Sequence, residues 1–356
     1  MNKAIALGSQ TKTTFSILDN DQLFVSEEFK DLSDIECFNR YEKFLREYLS
    51  NKKVMPGIVA CDLHPDYVST SLAKQLAEET GSSLIKVQHH FAHIVSCMVD
   101  NDIDEEVLGV CFDGMGFGDD GKSWGSEFLI CDRKNFKRIF HFKYISQPGS
   151  DIASREGWRI ALSYLIDTYD EDFDNLDISL IKRIGKEKIE TVRHMIKRNI
   201  NSPLTSSAGR LFDAVSSLIG ICDESSFEAE AAIELEKVAA RGITESYEYN
   251  VGENDICFVP MIKSIIDDLN EKVDVGIISA KFHNTLGEVI FDISSRAAKD
   301  FGISKVLLSG GCFQNKYLRE YVISKFADSN IKLFTHKKYS TTDAGVSIGQ
   351  AVVAGK

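Results

Sequence analysis

Eight cysteines are spread along the chain without a single C-x-x-C pair, so a zinc ribbon or a thioredoxin-like redox motif has no support. No apolar run reaches membrane-spanning length. No secretory leader is visible either, because MNKAIALGSQ passes directly into a strand-like pattern. Positive charge is in deficit. With 41 Lys and Arg against 54 Asp and Glu, the formal net charge is −13. Sequence-independent binding to a nucleic-acid backbone needs clustered Lys and Arg instead. Small anions are still admissible ligands, since Gly-rich backbone binds them without net positive charge. Low-complexity segments, linkers and repeats of about 20–50 residues are also missing.

What remains is an ordinary globular composition. The 356 residues are 43% hydrophobic and 27% charged, enough for two lobes with cores of their own. Cysteines such as Cys111 in VLGVCF read as reduced, buried thiols of a cytoplasmic protein. KAIALG and TTFSILDN predict a hairpin, LDNDQ a turn, and LFVSEEF a third strand. Helices are expected over residues 35–50 and 69–80, strands at PGIVACD and SLIKVQ, and strands again at VLGVCFDG and SWGSEFLICD. From about 151 to 245 the pattern is helical, and FEAEAAIELEKVAA is expected to start at a Ser225–Ser226 cap. SKVLLSGG then reads as a strand running into the helix NKYLREYVISKFA, IKLFTH as a last strand and AGVSIGQAVVA as a last helix. The expectation is a bilobal α/β protein with a cleft between its lobes. Residues 1–102 plus 336–356 would form one lobe and residues 103–335 the other.

Five stretches carry chemistry. VQHHFAHIVSC holds three of the eight histidines. On a helix, His89 and His93 fall on one face, one turn apart. Two imidazoles so placed can share a metal ion; two unrelated core histidines would look the same. DGMGFGDDG offers Gly114, Gly116, Gly118 and Gly121 as an anion nest, with Asp113 at a strand end as a carboxylate for Mg²⁺ or for orienting a reacting group. A glycine-rich hairpin with solvated aspartates is the plainer reading. LSGGCFQN puts Gly310 and Gly311 at a strand's carboxyl end and Asn315 at a helix start, where phosphates collect; a tight turn would suffice. GSQTKTTF presents Lys12 at a hairpin tip, facing an anion or merely solvent. TTDAGVSIG sets Asp343 at a helix start, as a metal ligand or a simple cap. Weaker signals are His64 in CDLHPDY, Arg210 in SSAGRLFDA, Glu228 in FEAEAA and His283 in KFHNTLG. Each of these alone is a satisfied or solvated side chain.

In this order the motifs stop being independent. LGSQTKTTF, ACDLHPDYVST, VQHHFAHI, GVCFDGMGFGDDGKSWGSEFL, TSSAGRLFDAVSSLIGI, FEAEAAIELE, FHNTL, LSGGCFQN and TDAGVSIGQA run from end to end of the chain. Together they resemble the Kae-like carbamoyltransferase domain of the HypF family, which serves nickel–iron hydrogenase maturation. The resemblance implies the bilobal actin-like ATPase (ASKHA) fold, Kae/TsaD-like, with a nucleotide in the cleft. It implies an iron or zinc ion on His89, His93 and Asp343, with His90 outside the ligand set. It implies catalytic roles for Lys12, His64 and Asp113. Nucleotide contacts would come from Gly114, Gly116, Gly118, Gly310, Gly311, Asn315, Arg210 and Glu228, with Mg²⁺ as a further ion. The implied reaction moves the carbamoyl group of carbamoyl-adenylate to the C-terminal cysteine of a HypE-like acceptor protein.

No acylphosphatase, zinc-finger or YrdC-like segment fits this chain, so a separate YrdC-like protein is expected to make the carbamoyl-adenylate. A start at Met1 with a plausible strand leans towards a stand-alone transferase over a fragment. Small departures are Ser9 and Gln10, where the family often has a Gly and an acid, and Ser126, where a Gly is common. Three rival readings compete. A small-molecule O-carbamoyltransferase of the antibiotic or nodulation type shares the fold and the metal motif, but the SSAGRLFDA and FEAEAAIELE matches favour HypF. A tRNA threonylcarbamoyl transferase is disfavoured by the acidic charge and the DLHP segment. A non-catalytic nucleotide-binding scaffold has no need of a metal triad.

Overall fold

The computed structural model describes residues 3–20 and 22–355, apart from the side chain of Glu171. The turn expected at LDNDQ includes Asp21, which lies outside these residues.

The chain opens with strands β1 (Ala4–Ala6), β2 (Thr11–Thr13), β3 (Ser16–Asp19), β4 (Gln22–Val25) and β5 (Phe29–Asp31). Helix α1 (Ile35–Lys52), strand β6 (Ile58–Asp62), helix α2 (Val68–Thr80), strand β7 (Ser83–Val87) and helix α3 (His89–Asp100) follow. Each helix has a local cause. The Asp34 carboxylate accepts the Cys37 amide at the start of α1, and Gly81 closes α2 in left-handed backbone. The first sheet has the order β4-β3-β1-β6-β7, antiparallel as far as β1 and parallel beyond it. The first lobe's core joins Leu7, Phe15, Tyr41 and Leu72, and the Tyr41 hydroxyl donates to the Leu7 carbonyl at 2.8 Å.

The second lobe repeats that plan. Strands β8 (Val107–Phe117), β9 (Ser123–Cys131) and β10 (Phe136–Phe142) form an antiparallel meander. Strands Lys305–Ser309 and Lys332–Phe334 then add in parallel on the β8 side. Over these five strands order and sense match the first sheet, and strands Asp255–Cys257 and Asn250–Val251 extend the second sheet beyond β10. The sequence betrays no repeat because only the strand connectivity is duplicated. The second core gathers Phe112, Trp158, Phe212 and Ile262 under the helices of residues 157–301.

The two lobes exchange their last helices. α3 follows the first sheet yet packs on β8 and strand Lys305–Ser309, while the C-terminal helix Val346–Gly355 packs on β1 and β6. α3 and the C-terminal helix also pack on each other, so a third cluster of Ala6, Ala60, Ile94, Val95, Leu307 and Val346 joins both lobes. A border at residue 102 therefore follows a helix that lies on the second lobe's sheet.

One expected cap is corrected. Helix Glu230–Val238 begins after Ala229, in left-handed backbone with φ 62°, and Ser226 does not cap it. Instead the Ser226 hydroxyl donates to the Glu230 carboxylate at 2.8 Å. No described helix is long and apolar enough to cross a membrane.

Candidate metal centre

The answer to the clustered histidines lies at the N-terminus of α3. The Gln88 side-chain oxygen accepts the Phe91 amide, an N-cap that starts the helix at His89. His89 and His93 then stand one turn apart, ring centroids 4.8 Å from each other. Asp62, at the end of β6, receives His89 Nδ1 at 2.7 Å. That hydrogen bond fixes the tautomer and turns His89 Nε2 inward.

Two carboxylates meet the imidazoles there. The Nε2 atoms of His89 and His93 are 3.2 Å apart. Asp113 Oδ2 lies 3.4 and 3.5 Å from them, and Asp343 Oδ1 lies 3.7 and 3.5 Å away. Four donors at tetrahedral corners, each about 2.0–2.1 Å from a zinc-sized ion, sit about 3.3–3.4 Å from one another. All four donor atoms lie within 4.8 Å of one another. A set of two imidazoles and two carboxylates suits zinc or iron and lacks the thiolate of a softer site. Charge points the same way. Asp62, Asp113 and Asp343 crowd two buried imidazoles, and such a surplus of buried carboxylate calls for a cation. Burial alone would lower the His89 pKa, yet Asp62, Asp343 and Asp113 hold it well above its ordinary value. Burial would raise Asp113, but hydrogen bonds from His89 and His93 keep it well below the carboxylate range. Asp343 is depressed in the same way against the same burial.

Asp113 reaches this point because β8 breaks its pairing. The register with β9 shifts between Phe112 and Gly116, and such bulges re-aim side chains. The Gly311 amide then holds Asp113 Oδ1 at 3.0 Å. Asp113 thus stands as a fourth candidate donor beside His89, His93 and Asp343, where the sequence offered it only as a separate carboxylate for Mg²⁺ or for orienting a reacting group. Asp62 and Gln88 were missed altogether. The signal for Asp62 was its position at the carboxyl end of a buried strand, within the already notable CDLHP.

The glycine loop needs correction. Gly114 and Gly116 belong to β8, and of the four glycines only Gly121, at the turn, has positive φ. They form no open nest. Gly116 is glycine for space: a Cβ there would stand 2.5 Å from His90 Cε1 and 2.8 Å from His89 Cδ2. Gly114 accepts the Ser207 hydroxyl at its carbonyl, and Gly118 lies against the Trp124 indole.

The other expected residues scatter around the centre. His90 is buried outside the donor set. Its Nδ1 meets Gln88 Nε2 at 3.1 Å, and its Nε2 has no partner among the described residues. His64 stacks on Tyr67 at 4.2 Å and accepts the Asp66 amide at Nδ1, while its own amide holds Asp62. Lys12 and Glu228, 216 residues apart, form an exposed 2.9 Å ion pair between the lobes. Arg210 binds Asp213 and the Ser154 hydroxyl, each at 2.7 Å. Gly310, with φ 99°, exchanges hydrogen bonds with Thr341. Asn315 is engaged inside the second lobe: its oxygen caps Leu318 and its amide donates to His283 Nε2.

Comparison with known proteins follows this geometry. A family described as "HypF Kae1-like domain" matches residues 1–100, and "Carbamoyltransferase, Kae1-like Domain, second subdomain" matches residues 109–350. The chain belongs to the HypF carbamoyltransferase family. The carbamoyltransferase HypF of Synechocystis sp. is 34% identical over 98% of this chain and 46% of its own length. A HypF homolog of Cupriavidus necator is 32% identical over 99% of this chain and 91% of its own length. A crystal structure of full-length HypF in the phosphate- and nucleotide-bound form matches with a TM-score of 0.93 and 37% identity, over 99% of this chain and 55% of that one. The two lobes therefore have the HypF Kae-like form of the actin-like fold. The chain spans about half the length of full-length HypF proteins and nearly the whole length of the C. necator homolog.

Proposed function

We propose that this chain transfers the carbamoyl group of carbamoyl-adenylate to the thiol of the C-terminal cysteine of a HypE-like acceptor. The observation that carries the reading is the four-donor centre at the lobe junction of a HypF-family chain. His89, His93, Asp113 and Asp343 would hold an iron or zinc ion, which supplies Lewis acidity towards the carbamoyl or phosphate oxygens. Asp62 keeps His89 Nε2 presented to that ion. The acceptor enters as a thiolate, its proton already lost to solvent. Sulfur attacks the carbamoyl carbon, the bond from that carbon to the phosphate oxygen breaks, and AMP leaves with the electron pair. His64 accepts at Nδ1, so its Nε2 carries the proton and serves as a donor to an oxygen of the substrate, not as a base. Lys12, Arg210 and Glu228, with the backbone at Gly310 and Gly311, contact the nucleotide. A separate YrdC-like protein in the same cytoplasm supplies the carbamoyl-adenylate.

The test is an intact-mass spectrum of HypE incubated with this protein and an independent source of carbamoyl-adenylate. A carbamoyl adduct on the C-terminal cysteine, lost in folded His89→Ala and Asp343→Ala variants, is expected. No adduct from folded, metal-loaded protein would turn the reading to the small-molecule O-carbamoyltransferase.

A further inference from the structure

Three of the four donors stand on regular structure: His89 and His93 on α3, Asp113 on β8. Asp343 does not. It follows residues 335–342, which form neither helix nor strand, and its side chain is the most exposed of the four, at 21% against 9% for Asp113 and 0% for the histidines. The turn Asp343–Gly345 ties Asp343 forward to the C-terminal helix, but the segment before it has no helical or ladder pattern of its own. Something else must fix that segment.

The far end of α3 supplies it. Asp100, the last residue of the helix, collects three consecutive amides of the segment. Oδ2 accepts Lys337 at 2.6 Å, Lys338 at 2.9 Å and Tyr339 at 3.1 Å, and Oδ1 accepts Lys338 at 3.1 Å. Next to it, the Asn101 amide donates to the Thr335 carbonyl at 3.0 Å. His336 Nε2 lies 2.8 Å from the Ser309 hydroxyl. Beyond these contacts the segment meets Gly310 through Thr341 and then delivers Asp343.

We propose that Asp100 is a positioning residue for the metal centre, fixing through residues 337–339 where Asp343 is presented to His89 and His93. The inference rests on the metal reading given above. Its physical basis is the stiffness of α3. Asp100 stands two helical turns, about 10 Å, beyond His93, so one rigid element carries two ligands and the anchor of a third. Three amides on one ionised carboxylate are charge-assisted hydrogen bonds, roughly twice as strong as neutral ones. They tie the irregular segment to the same body that places the imidazoles. The carboxylate is held ionised: burial would raise its pKa, but the three amides bring it below the usual value.

The experiment titrates metal-free protein with Co²⁺, reading the visible d–d bands for ligand geometry and chelator competition for affinity. The variants are Asp100→Ala, Asp100→Asn and, as a control, Asp274→Ala, which removes a cap from the remote helix Val275–Phe301. Asp100→Ala should weaken Co²⁺ binding by about 10–100-fold and change the band intensities. Asp100→Asn keeps one acceptor oxygen and should fall between it and the parent. Asp274→Ala should lower the melting temperature without moving the bands. Folded Asp100 variants with unchanged affinity and spectrum overturn the proposal. If the alanine variant does not fold, the asparagine variant decides alone. A parent protein that binds no Co²⁺ overturns the proposal and the metal reading together.

Discussion

At the scale of single residues the centre depends on Asp62, which bonds His89 at Nδ1, the nitrogen turned away from the donor set. It sets which ring nitrogen of His89 is free, and its second oxygen holds the His64 amide at 3.0 Å. Asp62→Asn keeps the shape and removes the charge. Metal affinity should fall about 10–100-fold, read by chelator competition, while circular dichroism stays that of the parent. Unchanged affinity would reduce Asp62 to a packing residue. His283 presents the opposite case, a histidine with a structural task. Nδ1 meets the Ser279 carbonyl at 2.7 Å and Nε2 accepts from Asn315. Burial pushes its imidazole down to about 4 from 6.5. The unfolded chain therefore binds the extra proton first. Stability is full above about pH 6.5 and drops as pH falls towards 4, by about 3 kcal/mol at most. In His283→Gln this part of the acid loss should disappear. Urea midpoints near pH 7 and pH 5 would lie closer together than in the parent, and an equal spread in both would refute the assignment.

Between elements, the decisive contact is that of α3 with the C-terminal helix. Gly349 lets the two backbones meet. A Cβ there would stand 1.9 Å from the Ala92 carbonyl oxygen and 2.7 Å from Ala92 Cα. Backbone cannot rotate away as a side chain can, so Gly349→Ala must separate the helices. The expected cost is about 1–3 kcal/mol or more, read as a lower urea midpoint. Because Asp343 leads into the same helix, metal affinity should fall along with it. A variant of parental stability would mean that the seam between the lobes is more yielding than its close packing implies.

For the molecule as a whole, the two lobes carry one strand plan twice and trade their final helices. The seam cluster of Ala6, Ala60, Val95, Leu307 and Val346 binds them on one side, while Lys12 and Glu228 join them by an exposed ion pair, 36% and 67% accessible. Pairs this exposed contribute about 0–1 kcal/mol. Lys12→Ala should therefore leave the melting temperature nearly unchanged. If these residues reach the nucleotide as proposed, the KM for carbamoyl-adenylate should rise while kcat for bound substrate changes little. A variant with parental KM would make the pair a bystander.

The sequence by itself determined the class of fold and offered His89, His93 and Asp343, three of the four groups that the structure brings together. Both are local matters: strand and helix periodicities, an i, i+4 histidine pair, an acid at a helix start, and motifs that keep their order along the chain. It did not reveal the duplicated strand plan, because connectivity leaves no residue pattern behind. Nor did it reveal that Asp113 turns onto the histidines, since that follows from a register slip against β9, or that Gly116 serves close packing on His89 and His90 where a nest was expected. The Ser225–Ser226 cap failed because Ala229 takes left-handed backbone and Glu230 engages Ser226 instead. Asp62, Asp100 and Gly349 act on the centre and the seam through partners 27, 237 and 257 positions away. Spacing along the chain records which groups can share a helix face. Which carboxylates share a buried volume is decided by tertiary packing, because the energy of burying charge depends on neighbours in space.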